Sequence, residues 1–406
     1  MAKRSIITAI DVGTTKVCTI VGSVDGGGGI RVIGVGITPT FGLHKGLVVN
    51  INEAKESIRQ SVREAEQTCG YKVESAYVGV TGRHVSSLNN RAVVAITRND
   101  RLVRSDDLRR VLTTARGVKL TPDRKLLHVI PRGYAVDGQS GVKNPVGMHG
   151  FRLDVEAHII TAAVTSVQNL LKCIRGIGID IDDLILEPLA SSEAVLSEDE
   201  KQVGVILADI GGGTTDIAIF REGSIWHTAV LPVAGYQITR DIAIGLGLPF
   251  DVAEEMKKKY GSVAPVYETR TGTSTDNLIS NGHGVSHRDL CDIIRARVEE
   301  LLRLIVLEMP SSEYEKLVPD GLVLTGGSAN LAGIEALGRN TLQLPVRVGM
   351  PSNLYGISDA LHDPAYATGV GLLLWGAKYR EKRTWQQNNF GSGLRRFVSR
   401  LASLFR

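Results

Sequence analysis

Two short stretches of this chain place an acidic residue, a glycine turn and paired threonines between apolar runs. They are "AIDVGTTKVCTIV", starting at Ala9, and "ADIGGGTTDIAIF", starting at Ala208. Glycines let backbone N–H groups come close to a phosphate, and threonine hydroxyls add further donors. Gly13, Thr14 and Thr15 form one candidate phosphate turn, and Gly211, Gly212, Gly213, Thr214 and Thr215 the other. Asp11 and Asp209 end the preceding apolar runs. Like charges repel, so neither carboxylate suits direct contact with a phosphate. Both suit holding the waters of a Mg²⁺ that neutralises the β and γ oxygens. Lys16 adds a point charge to the same place. A third glycine turn, "LTGGSANLAGI", offers Gly326, Gly327, Ser328 and Asn330. Bare backbone there can face a nucleotide base, with a helix N-terminus beside it. Each turn alone is equally an ordinary β-turn, but the three together point to a nucleotide cleft. The chain has no GxxxxGK[ST], which excludes a P-loop.

Alternation and periodicity give the elements that must hold these turns. Residues 5–37 read as three strands, and Asn52 to Thr68 as a helix with Ala54, Ile58, Val62 and Ala65 on one face. "VESAYVGVTG" reads as a buried strand. Residues 84–160 read as a small mixed unit: a strand at "RAVVAIT", a helix capped by Ser105, then strands at "LLHVIPRGYAV" and "VEAHIITAAV". A second strand–turn–strand follows at 204–220. It repeats the first when Thr14–Thr15 is set against Thr214–Thr215, and such duplication predicts two similar lobes facing one cleft. Residues 232–310 read as mostly helical. Within them Leu290, Ile293, Ile294, Val298, Leu301, Leu302 and Ile305 make a wide apolar face.

The predicted domains are therefore a first lobe over 1–83 and 161–203, an inserted interaction subdomain over 84–160, and a second lobe over 204–376. A flexible linker follows over 377–392, then an amphipathic helix over 393–406. No stretch approaches the apolar length of a spanning helix, and no secretory signal is read at the N-terminus. Four cysteines without CxxC spacing read as reduced structural thiols.

The net charge of +4 is unevenly placed. Lys378 to Arg406 holds eight basic residues and one acid, leaving 39 basic against 42 acidic in the rest. A mildly acidic body argues against nucleic acid as a partner. On a helical wheel Leu394, Phe397, Val398, Leu401, Leu404 and Phe405 share one face, while Arg395, Arg396, Arg400 and Arg406 lie off it. That pattern suits an anionic membrane surface. A helix docked back onto the body is the alternative, and it would leave the arginines without a task.

"IDVGTTKV", "LEPLASSEAVL", "LADIGGGTTDIAIF", "VLTGGSANLAGI" and "DPAYATGVGLLLW" resemble the phosphate, connecting-helix and adenosine motifs of the actin, sugar-kinase and chaperone ATPase superfamily. Within it the chain resembles the bacterial cell-division FtsA family, through "HKGLVVNI", "VTGRHVSSLN", "LHVIPRGYAVDG" and "GVKNPVGMHG" as well. The resemblance implies an α/β, actin-like (ribonuclease H-like) duplicated fold, two lobes around a nucleotide cleft, with a family-specific small α+β insertion. That insertion comes later in the chain than actin's and should project elsewhere.

The same resemblance implies ATP with Mg²⁺ as ligands. It nominates Glu254 and Lys257 in "AEEMK" for the ribose and adenine, the alternative being a solvated helix face. Glu187 stands where some relatives place a group that orients the attacking water, and a structural glutamate is the other reading. Slow ATP turnover at most is expected. The implied partners are the FtsZ C-terminal tail, further copies of the chain in filaments, later division proteins and anionic lipid. The implied place is the cytoplasmic face of the inner membrane at the division septum. Arg297 and Glu300 on the helical subdomain are nominated for FtsZ. A small-molecule kinase or a chaperone-type ATPase of the same superfamily is the alternative. The first should carry a sugar pocket and a base, the second a large region after the ATPase.

Overall fold

A computed structural model of the chain describes residues 5–25, 29–264, 277–280, 283–309, 318–357 and 359–390. The first lobe opens with β1 (Ser5–Val12), β2 (Lys16–Val24) and β3 (Ile30–Pro39), an antiparallel meander, and a small hairpin of β4 (Leu43–His44) and β5 (Leu47–Val48). Helix α1 (Ile51–Cys69) starts where Asn50 accepts the N–H groups of Asn52 and Glu53, and stops at Gly70, whose φ of 70° only glycine adopts cheaply. Ala54, Ile58, Val62 and Ala65 are buried on it, as their spacing predicts. β6 (Ser75–Val80) then runs parallel to β1.

The inserted unit comprises β7 (Val85–Ala95), α2 (Ser105–Arg116), β8 (Arg124–Val136), β9 (Gln139–Val142) and β10 (Arg152–Ala163). Its sheet has the order β7-β10-β8-β9, and Val111 and Ala115 of α2 are buried in its own core. Ser105 is the first helical residue rather than the cap. The flanking Arg104 N–H is taken up by the Asp107 carboxylate at 2.9 Å, so the acid does the capping. The chain returns through α3 (Val164–Arg175), β11 (Asp180–Leu186), α4 (Glu187–Val195) and α5 (Glu198–Val203).

The second lobe repeats the meander as β12 (Val205–Ile210), β13 (Thr215–Arg221) and β14 (Ser224–Leu231). It continues with α6 (Gly235–Leu246), α7 (Phe250–Tyr260), β15 (Asn277–Ser280), β16 (His283–Ser286) and α8 (His287–Leu307). The hairpin of β15 and β16 interrupts what periodicity alone reads as a helical segment. On α8 the predicted apolar face is buried except at Ile293, which is half-buried against the same core. β17 (Leu322–Thr325), a 3₁₀ turn over Gly327–Asn330, α9 (Ile334–Leu342) and β18 (Val346–Val348) complete this lobe.

Two boundaries differ from expectation. β19 (Leu354–Gly356) pairs with β3, and α10 (Ala367–Phe390) packs on the first lobe, so the second lobe ends before residue 354. The reason is steric: glycines let α10 sit hard against its neighbours. A Cβ on Gly371 would stand 1.8 Å from the Ala190 carbonyl oxygen of α4, and one on Gly376 2.7 Å from the Tyr77 ring. The backbone of 380–390, expected as flexible linker, continues α10. That stretch has no glycine or proline, and its Lys, Arg, Glu and Gln extend an established helix readily. The amphipathic segment with Leu394, Arg395, Arg396, Phe397, Val398, Arg400, Leu401, Leu404 and Phe405 lies outside the described residues. Among the described residues no helix is long and apolar enough to cross a membrane.

Candidate functional site: a chamber between two matched turns

The duplicated hairpins match residue for residue. Val12 pairs with Val17 and Ile210 with Thr215, so each turn has four residues. The Gly13 N–H donates to the Lys16 carbonyl at 3.1 Å, and the Gly211 N–H to the Thr214 carbonyl at 3.0 Å. The true correspondence needs no gap: Thr14 and Thr15 match Gly212 and Gly213, and Lys16 matches Thr214. This corrects the pairing of one Thr-Thr with the other. The two tips also interlock. A Cβ on Gly212 would lie 2.4 Å from Thr15 Cγ2, and one on Gly213 2.6 Å from Thr14 Oγ1. The glycines of one turn make room for the threonines of the other.

Between the turns lies a small chamber of about 70 Å³, lined by Asp11, Gly13–Lys16, Thr81, Glu187, Asp209, Gly211–Thr214, Asp216, Gly326, Gly327 and Thr368. Both crossing helices tie down Asp209. Ser191 of α4 and Thr368 of α10 donate hydroxyls to it at 2.8 and 2.9 Å. Gly326, at φ 84°, is pressed so close that a Cβ would meet Asp209 Oδ1 at 2.4 Å. Asp216 takes the Thr81 hydroxyl at 2.5 Å, a direct bond from one lobe to the other. Burial pushes Asp11 up to about 7, with Lys16 opposing and Asp209 reinforcing. Burial likewise carries Asp216 to about 7 against the Thr81 bond. It raises Asp209 despite the Ser191 and Thr368 bonds and Lys16, and drives Glu187 well above the carboxylate range with help from Asp11, Asp216 and Asp209. Lys16 lies over the Tyr366 ring, 4.3 Å from its centre.

Four desolvated carboxylates around one chamber are hard oxygen donors that a divalent cation would re-ionise. Among the described residues no three metal-ligating side chains cluster closely enough to grip an ion together. By its chemistry such a set of oxygen donors would suit a hard divalent cation such as Mg²⁺.

The chamber opens into a cleft of about 740 Å³, lined by Gly235, Tyr236, Phe250, Glu254, Lys257, Lys258, Gly327, Ser328 and Asn330, among others. Glu254 pairs with Lys257 at 2.7 Å and Lys258 at 3.1 Å. Lys257 Nζ donates to Thr239 Oγ1 at 2.8 Å and the Gly235 carbonyl at 3.2 Å, so this pair faces the cleft rather than open solvent. His44 meets Tyr236 edge-on across the lobes, ring centres 5.5 Å apart. Arg297 and Glu300 lie apart from the cleft on α8, ion-paired to each other, with Arg297 also bound to Asp241 of α6.

The structure thus brings together Asp11, Gly13–Lys16, Glu187, Asp209, Gly211–Thr214, Gly326 and Gly327 at the chamber. Glu254, Lys257, Ser328 and Asn330 gather in the cleft beside it. Thr215 is buried behind the turn, its hydroxyl spent on the Val233 carbonyl at 2.7 Å. Sequence reading missed Thr81, Ser191, Asp216 and Thr368. Asp216 had a signal: it stands seven residues after Asp209, where the first copy has Cys18.

Two lobes with matched hairpin turns, crossed behind by α4 and α10, define an actin-like ATPase fold. The chain resembles, in fold, the PilM–PilN type IV pilus biogenesis complex, with TM-score 0.65 and 19% identity, covering 91% of this chain and 98% of that one. It also resembles MreB5 of Spiroplasma citri bound to ADP, with TM-score 0.54 and 14% identity over 95% and 99%. The family model "Cell division protein FtsA" matches residues 206–371, and "SHS2 domain inserted in FTSA" matches 82–161. A cell division protein FtsA of Pseudomonas aeruginosa is 44% identical over 375 residues, 91% of this chain and 89% of that protein. This chain belongs to the FtsA family.

Proposed function

We propose that this chain is an ATP-binding cell-division protein that polymerises at the cytoplasmic membrane, tethers FtsZ there and recruits later division proteins. The observation that carries the ATP reading is the pair of matched turns enclosing a chamber of buried carboxylates. Backbone N–H groups of Gly13–Thr15 and Gly211–Thr214 would hold the phosphates, with Lys16 leaving the Tyr366 ring to join them. Asp11, Asp209 and Asp216 would hold the waters of Mg²⁺, which when bound neutralises the β and γ oxygens. Glu254, Lys257 and Lys258 would face the ribose and base, where the cleft is wide enough for a nucleoside. Glu187, whose side chain lines the chamber, would order the attacking water.

The membrane reading is supported by the spacing of Leu394, Phe397, Val398, Leu401, Leu404 and Phe405 and the arginines between them. Each arginine near anionic lipid is worth about 1 kcal/mol, and burial of each large side chain at an interface is incomplete. One tail should hold weakly and many on a polymer tightly, through effective concentration. The test is pelleting on anionic liposomes by the full chain and by a version ending at Asn389, with and without ATP. The full chain should pellet, more so when assembled. Equal pelleting of the shortened chain would remove the tether. Phosphoryl transfer to a small molecule would instead favour the kinase reading.

A further inference from the structure

The inserted subdomain touches the nucleotide lobes at places where nothing in the established family assignment gives its side chains a task. One contact reaches almost to the chamber. β8 runs antiparallel to β10, but its register slips: Ile160 pairs with His128 and Thr161 with Leu126, leaving Leu127 as the extra residue of a bulge. Bulges bend a strand and re-aim the adjacent side chains. Here His128 leaves the subdomain and meets the first lobe. Its Nε2 accepts the backbone N–H of Leu186 at 3.1 Å.

Leu186 is the last residue of β11, the edge strand of the six-stranded sheet, and the residue flanking α4. An edge strand leaves alternate N–H groups without a ladder partner, and Leu186 is fully buried, so that group must be satisfied by something other than water. No side chain of α4 itself caps this end. The next residue is Glu187, whose side chain enters the chamber and lies against Gly79, where a Cβ would stand 3.2 Å from Glu187 Cγ. His128 also meets Trp375 of α10 edge-on, with ring centres 6.2 Å apart. A single imidazole from the insertion, one peptide away from Glu187, therefore touches both the residue that leads into α4 and Trp375 of α10.

We propose that His128 is a positioning residue: by accepting the Leu186 N–H it fixes where Glu187 stands in the phosphate chamber, and so gives the inserted subdomain control over ATP turnover. This rests on the ATP reading of the cleft. An imidazole accepting at Nε2 must carry its proton at Nδ1, so the contact works only in that neutral tautomer. Displacement of β8 by a partner on the insertion would draw His128 off Leu186 and let the start of α4 drift.

The test uses the full chain, Mg²⁺ and radiolabelled ATP under single-turnover conditions, alongside equilibrium ATP affinity. His128→Leu should slow turnover by about fivefold or more, the effect of stranding one buried donor, while ATP affinity stays within about twofold. His128→Gln, whose amide oxygen can accept the same N–H, should recover most of the rate. A role confined to stability would not produce this split or this rescue. In the unaltered protein the ¹⁵N resonances of the ring should report the Nδ1–H tautomer and move when a non-hydrolysable ATP analogue binds. Ring resonances indifferent to nucleotide would overturn the proposal even where the leucine variant does not fold. Wild-type rates in a folded His128→Leu protein would overturn it while leaving the ATP reading intact. Binding without any turnover in the parent removes the task assigned to His128. Failure of the parent protein to bind ATP would instead sink the reading of the cleft itself.

Discussion

The two phosphate hairpins share a length, a turn bond and a leading aspartate, yet differ at nearly every other position. Where the first has Thr14, Thr15, Lys16 and Cys18, the second has Gly212, Gly213, Thr214 and Asp216. The differences are complementary. Bulk on one tip faces glycine on the other, and the additional acid of the second copy, Asp216, stands where the first has an uncharged residue. Duplication thus supplied a pair of identical frames, and divergence made them fit each other rather than remain alike. A symmetrical pair with threonines on both tips would collide, and one with aspartates at both inner positions would concentrate still more charge in a dry chamber.

Making the copies alike should be costly. Cys18 is 1% exposed, and burial with Asp11 alongside pushes its thiol far up. Cys18→Asp should destabilise the fold by about 3 kcal/mol or more, read as a lowered urea midpoint. Little change there would mean the first hairpin tolerates a second acid, and the charge argument fails. Asp209→Ala should come next. It takes from the Thr368 hydroxyl its acceptor and removes a metal-water partner, so Mg-ATP affinity should fall roughly a hundredfold by calorimetry. An unchanged affinity would contradict the metal assignment.

A third test concerns the brace between the insertion and the second lobe. His158 of β10 is buried, bonded through Nε2 to Thr228 Oγ1 of β14 at 3.0 Å and through Nδ1 to Asn89 at 2.7 Å. Burial, with His227 and Arg132 adding to it, lowers its pKa from 6.5 to about 3. The unfolded chain takes up this proton first, so the stabilisation is full above pH 6.5 and is lost as pH falls toward 3. From pH 7 to 5 the loss should be about 2 kcal/mol. His158→Gln should flatten that slope, and an equal slope in both proteins would deny His158 the role. The mildest test is steric. Gly212→Ala should weaken ATP binding about tenfold by spreading the tips, and adding Thr15→Ser, which removes the colliding Cγ2, should restore most of it. Additive losses would show that the tips do not interlock.

Much of this site was legible because its chemistry is local in sequence. Aspartate, glycine and threonine within one turn announce a hairpin and its ligand together. Residues that act at a distance left no such trace. Thr81 and Thr368 lie at the ends of an apolar strand and an apolar helix, and only the tertiary fold turns their hydroxyls to Asp216 and Asp209. Asp216 was hidden differently: setting Thr-Thr against Thr-Thr hid its correspondence with Cys18, which the strand register reveals. The return of β19 and α10 to the first lobe was equally hidden, because strand pairing between residues 30 and 354 has no local signature.

The insertion enters and leaves the first lobe at one point, since Val85 and Ala162 are facing partners at the root of its sheet. Neighbouring strand positions lie about 5 Å apart, so a very short bridge could close the gap if the whole unit were exchanged. In evolutionary terms it is a cassette with a single socket. What a replacement would lack are the contacts outside that socket, those of the two histidines together with Ser87 on the Thr228 carbonyl and Ser224 on the Pro131 carbonyl among them. These are what make the present occupant more than a passenger.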